Sequence, residues 1–296
     1  MRFLAFAVVF GALSAGCGGS DSGGEGGSGG SGQVCGGPGG ARLLAKGEVP
    51  HAIAINDTHV FWTDVKWIGG NGESVVRMVP KAGGEVSELA LEAGVRFYAI
   101  GANAETVYFS SEVMNDPASG RILSASLTTH GPPQAFASGQ YAPRAIELSK
   151  SGIVWVNISG ADRVGHVFHQ PFVNGTAVEL ASDPLDSWTA LALSSENAFW
   201  TSTAGTPRLS RTGLAGGGGS AVVTEGADGG PIECVATDGR DVYFSRRGTS
   251  TNTFEPQYNH DGSVYKIAAT GGAATLLASN QESPSRVAAP PVAAIL

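Results

Sequence analysis

Six positions at a constant offset ahead of an apolar pair carry groups that could meet a ligand: His51, Tyr98, Arg144, Thr189 and Glu233, with Ser285 at the sixth. An imidazole, a phenol, a guanidinium and a carboxyl brought to one place would suit recognition of a polar ligand or acid–base work. Metal-assisted hydrolysis would ask for several carboxylate or amide oxygens. This series supplies one carboxylate, Glu233, with Glu147 on the neighbouring strand. Two readings stand at this point: the mouth of a channel that binds something, or a solvated rim that binds nothing.

A second set is aromatic and uneven in spacing: Trp67 after Lys66, then Phe97, Tyr141 and Trp188, then a long excursion from Arg246 to Gly262 that carries Phe254, Tyr258 and His260. Exposed aromatics beside arginine have the composition of a protein interface. An excursion of that length is either functional or tolerated. His166 and His169, three apart in one β-rich run, alternate to opposite faces and so do not share a metal. The sequence calls for no metal and no cofactor, and it contains no nucleophile elbow or phosphate loop.

The elements that position these residues follow from an internal repeat. An aromatic cluster recurs at Phe61-Trp62, Tyr108-Phe109, Val154-Trp155, Phe199-Trp200 and Tyr243-Phe244, and its last aromatic steps by 47, 46, 45 and 44 residues. Each cluster follows a short Ala/Ile-rich run and a polar turn, and precedes a β-rich run, a turn and a fourth run. Glycine marks that last turn at Gly83-Gly84, Gly131, Gly175 and Gly271-Gly272. Four short antiparallel strands per unit make one β-propeller blade. The regular clusters read as filling between blades. The expected class is therefore all-β, a propeller spanning 41–296.

Gly40 to Ala45 copies the fourth-strand pattern of Gly272 to Ala278, and Arg286 to Ala289 with Val292 to Leu296 look like first and second strands. Pairing of these two ends would make a sixth blade shared by both termini and remove open edges. A five-bladed ring with stray ends is the alternative.

Ile53-Ala54-Ile55-Asn56 followed by Phe61-Trp62-Thr63-Asp64 resembles the YWTD-type repeat and, more loosely, TolB-like repeats of six-bladed propellers. The resemblance implies a fold. Propellers of these groups mostly bind proteins or glycans, while others with six blades are lactonases or lyases.

Residues 1–16, with Arg2 before an apolar stretch from Phe3 to Leu13, read as an export signal too short to span a bilayer. Ser14-Ala15-Gly16-Cys17 resembles the lipobox of bacterial lipoproteins, which implies acylation of Cys17. That family prefers Leu where this chain has Ser14, and plain signal cleavage is the alternative. Residues 17–40 then form a tether, with 13 glycines among the 23 residues from Gly18 to Gly40. Gly18 after the cysteine resembles the pattern of lipoproteins sorted to an outer membrane. Cys35 and Cys234 remain for a possible disulfide in an oxidising compartment. Cys234 also stands in register with Ala52, Ala99, Ala145 and Ala190, so a small buried residue explains it equally well.

Formal charge is −8, from 18 basic and 26 acidic residues, which disfavours a nucleic-acid partner. The expectation is an exported, lipid-anchored, non-catalytic module in the periplasm or at the cell surface that binds an envelope or extracellular protein or glycan. Its only membrane contact would be the lipid. The alternative is a metal-assisted lyase or hydrolase at the channel mouth.

Overall fold

The structure, a computed structural model, describes residues 43–68, 71–129, 131–158, 164–173, 175–184, 190–202, 207–216, 221–225, 231–249, 261–281 and 284. These residues form five four-stranded antiparallel sheets, each built from consecutive strands, with no helix among them. The first sheet holds β1 (Ala52–Ile55), β2 (His59–Ile68), β3 (Asn71–Pro80) and β4 (Ser87–Ala93). The second holds β5 (Val95–Ala102), β6 (Thr106–Val113), β7 (Asp116–Ser126) and β8 (Gln134–Gln140). The third holds β9 (Pro143–Leu148), β10 (Gly152–Asn157), β11 (Val164–Pro171) and β12 (Val178–Pro184). The fourth holds β13 (Leu191–Leu193), β14 (Asn197–Ser202), β15 (Arg208–Gly213) and β16 (Ala221–Glu225), and the fifth β17 (Ile232–Thr237), β18 (Asp241–Arg246), β19 (Gly262–Ala268) and β20 (Thr275–Gln281).

Each turn between first and second strand is closed by the same device. Asn56 Oδ1 accepts from the Thr58 and His59 amides at 3.0 and 2.8 Å, and Asn103 Oδ1 from Glu105 and Thr106 at 3.0 and 2.8 Å. Ser149, Ser194 and Asp238 cap the corresponding turns with their own oxygens. A short polar side chain that bonds backbone two and three residues on mimics a turn and stops the strand.

The aromatic clusters occupy second strands, where alternation sends adjacent members to opposite faces of the sheet. Phe61 enters a core with Phe97, Ile100 and Phe109 of the next sheet. Tyr108 meets Ile146, Ile153 and Trp155, Val154 meets Leu191 and Trp200, and Phe199 meets Ile232, Val235 and Phe244. Every junction between consecutive sheets is thus a separate apolar core. Burying large aromatics at each one contributes the dominant favourable term. The outer face of the first sheet is covered by Leu44 and Ala45, which pack on Val60, Trp62 and Val79.

The hydroxyl that follows the cluster also has a recurring use. Thr63 Oγ1, Ser110 Oγ and Thr201 Oγ1 are fully buried and accept from the amides of Ala52, Ala99 and Ala190 at 3.1, 2.9 and 3.0 Å. First and second strands are locked at one end, where strand pairing alone would fray.

Candidate functional site

First strands neighbour one another in series, β1 beside β5, β5 beside β9, β9 beside β13 and β13 beside β17, so they form the inner wall. In the first sheet Ala52 pairs with Thr63 and Ile55 with Val60, so β1 starts on the side toward which β2 runs. The residue preceding β1, His51, therefore lies on the face from which the β2–β3 hairpin projects. The same antiparallel logic places Tyr98, Arg144 and Glu233 on that face.

Three members of the expected mouth do meet. The His51 and Tyr98 rings lie 6.1 Å apart, tilted by 59°. The Arg144 guanidinium sits 3.7 Å from the centre of the Tyr98 ring, within cation–π range. Its two terminal nitrogens donate to Glu112 Oε2 at 2.6 Å and Oε1 at 3.2 Å. This fork joins the third sheet to the second, and Glu112 is almost fully buried beneath it. Sequence reasoning overlooked Glu112; the signal available was a carboxylate two residues past Ser110, at the end of a second strand. Glu233, farther along the inner wall, accepts from Arg247 at 2.8 Å. Thr189 and Ser285 lie outside the described residues.

The titratable groups of the mouth are shifted by their surroundings. Partial desolvation lowers the pKa of His51, the Arg96 charge lowers it further, and Asp64 opposes both. Desolvation raises Glu233, and its bond to Arg247 works against that rise. Glu147 stands out most. The strand pairings put it at the position held by Ala54, Gly101, Ala192 and Ala236 in the other blades. Its side chain keeps access to water, yet inner-wall protein crowds the carboxyl, and that desolvation pushes its pKa up to about 7.

Because the folded chain holds the Glu147 proton more tightly than the unfolded chain, stability is fullest below the ordinary value of 4.5 and declines as pH rises through about 7. Glu147→Gln is therefore expected to raise the melting temperature at pH 8 and leave it unchanged near pH 4. Thermal melts at the two pH values check this, and an equal difference at both would contradict it.

The aromatic set divides. Trp67 is 58% exposed at the end of β2 and Ile68 beside it 43%. Tyr141, between β8 and β9, is half-buried. Phe97, expected on the surface, is a core residue instead: it is 2% exposed and packs edge-on against Phe109 at 4.8 Å. A register shift between Phe97 and Ile100 adds a residue to β5 and turns this ring inward. Arg246, also expected in an exposed excursion, is the buried last residue of β18, with its guanidinium 5.7 Å from the Tyr265 ring centre. Trp188, Phe254, Tyr258 and His260 lie outside the described residues, as do Cys17 and Cys35; Cys234 is half-buried on β17.

His166 and His169 sit on β11 as expected, opposite Asn157 and Val154 of β10. His166 Nδ1 lies 3.3 Å from Glu179, and burial lowers the pKa of His169. Among the described residues no group of three His, Cys, Asp or Glu could hold a metal ion.

Five successive four-stranded sheets, each packed face to face on the next with first strands innermost, define a β-propeller. Solved structures agree. The chain is similar to a structure of the nidogen/laminin complex, with a TM-score of 0.53 and 16% identity over 75% of this chain and 76% of that one. It is similar to a TolB protein of Agrobacterium tumefaciens, with a TM-score of 0.53 and 15% identity over 80% of this chain and 87% of that one. A prolyl endopeptidase matches at a TM-score of 0.57 and 16% identity over 80% of this chain, but this chain covers only 36% of its length. At these identities the likeness is one of fold. No family model matches the chain, and no curated protein does.

Proposed function

We propose that this propeller is a non-catalytic binding module that holds an envelope or extracellular protein on its β2–β3 face. The observation that carries the reading is apolar surface on adjacent projecting hairpins. Trp67 and Ile68 end β2, while Val113 and Met114, 44% and 45% exposed, turn from β6 into β7. Exposed tryptophan and methionine on neighbouring hairpins, beside an aromatic and arginine mouth, have the composition of a recognition surface. The lipobox-like segment at Cys17 and the glycine-rich tether support an exported, lipid-anchored protein on the outer membrane, and the strand-like stubs at both termini support a sixth blade shared between them. Glycan remains an alternative partner of the same face.

A lyase or hydrolase at the mouth has less support, because the Glu233 carboxylate is already engaged by Arg247. The test is capture of envelope components by the purified chain. Trp67→Ala is expected to reduce recovery of the bound partner by about tenfold or more, as for an interface tryptophan contributing about 2 kcal/mol. Undiminished recovery would remove this face from the account.

A further inference from the structure

We propose that the mouth beside the first two blades binds carboxylate groups of an acidic protein segment, held by Arg96, His51 and Tyr98. The inference rests on the reading that this face is the binding face, and it gives the partner a chemistry.

Two neighbouring carboxylates, Glu112 and Asp64, are each already paired with another arginine. Glu112 stands across from Arg96 in the β5–β6 register, but both its oxygens receive the Arg144 fork. Asp64 is buried and accepts from the amides of Glu48, Val49 and Val65, from the Trp62 indole and from Arg77. Arg96 is exposed, and among the described residues no carboxylate oxygen lies within ion-pair distance of it. Its field reaches His51, where it opposes protonation. Arg96 thus faces solvent without an ion-pair partner among the described residues, near an imidazole that can donate a hydrogen bond, in a chain of net charge −8.

A carboxylate from outside answers this arrangement. The Arg96 guanidinium offers a planar pair of N–H groups, and His51 and the Tyr98 hydroxyl supply further donors. The charge also adjoins the apolar tip. Val95, next to Arg96, pairs with Val113, and the Met114 amide donates to Gly94 at 3.1 Å. Apolar side chains flanking an arginine form the kind of centre at which binding energy concentrates. An extended acidic peptide with an occasional large apolar residue would meet both features in one stretch.

The experiment uses the full chain and a fluorescent, end-blocked hexaglutamate peptide, followed by anisotropy at low salt, with hexalysine and oligogalacturonate as comparison probes. Hexaglutamate is expected to bind, with affinity falling as salt screens the contact. Arg96→Gln is expected to weaken it about tenfold, the loss of one charge-assisted contact. Arg96→Lys should retain part of the affinity, and His51→Gln should weaken binding by a smaller factor. Because Arg96 and His51 are exposed, unchanged melting temperatures will show that the fold persists. Equal binding by wild type and Arg96→Gln, equal binding of hexalysine, or binding of the uronate alone would overturn the proposal. If partner capture survives Trp67→Ala while hexaglutamate binding falls with Arg96→Gln, the apolar reading fails and the carboxylate site stands. If capture falls but the peptide ignores Arg96→Gln, only the carboxylate site fails.

Discussion

Asp64→Ala destabilises the protein by about 3–5 kcal/mol, the cost of removing one partner from a buried charged network. The carboxylate is 1% exposed and serves three backbone amides, an indole N–H and the Arg77 guanidinium, whose Nη1 lies 3.1 Å from Oδ2. Its loss removes the nearest partner of the mostly covered Arg77, leaving the longer contacts to Glu88 and Glu48 at 3.7 and 3.8 Å, and releases the segment at Glu48 and Val49 that leads into β1. Asp64→Asn should fall between, because an amide oxygen can still accept from Val49 and Val65 while its NH2 repels Arg77. Denaturant unfolding measures the loss. Hydrogen exchange should show early opening of the amides of Glu48 and Val49, and a wild-type-like midpoint in the alanine variant would show that this hub carries no weight.

Trp155→Ala is the second large effect, at about 3–5 kcal/mol, or a fall in melting temperature on the order of 10 °C for a domain of this size. Trp155 is fully buried at the junction of the second and third sheets. Its ring stacks on Phe168 with centroids 5.5 Å apart and planes 19° apart, and its Nε1 donates to Gln140 Oε1 at 2.9 Å. Truncation leaves a large cavity and weakens the hold on a glutamine that also takes Asn157 Nδ2 at 3.0 Å. Trp155→Phe keeps most of the volume but not the donor, so it should cost roughly a third to a half as much. Calorimetry separates the two contributions, and an alanine variant that melts with the wild type would mean the blades do not depend on this junction.

The propeller was legible because its driving force is periodic. A cluster repeating every 44 to 47 residues, bracketed by strand and turn formers, has few packings other than blades that bury one another's aromatics. The proximity of His51, Tyr98 and Arg144 followed from counting: they share one offset from the clusters, and their rings and guanidinium neighbour one another. Phe97 was misplaced because alternation fails at a bulge. Val95 and Phe97 are both buried, and the extra residue that follows hides their continuity with Ile100. Glu112, the partner of Arg144, lies 32 residues away, and Glu48, Val49 and Arg77, partners of Asp64, lie 13 to 16 away, across or along the sheet, and no local pattern announces such pairings. The recurrent hydroxyls Thr63, Ser110 and Thr201 were visible in the repeat, but their bond to the first-strand amide appears only once the strands are placed.

Site-specific photocrosslinking in cells tests the binding face most directly. With p-benzoylphenylalanine in place of Trp67, on the β2–β3 face, a discrete covalent adduct with one acidic partner protein is expected. The same group at Val173, 75% exposed in the turn after β11 on the opposite face, should give none. An adduct formed from position 173 and absent from position 67 would contradict it.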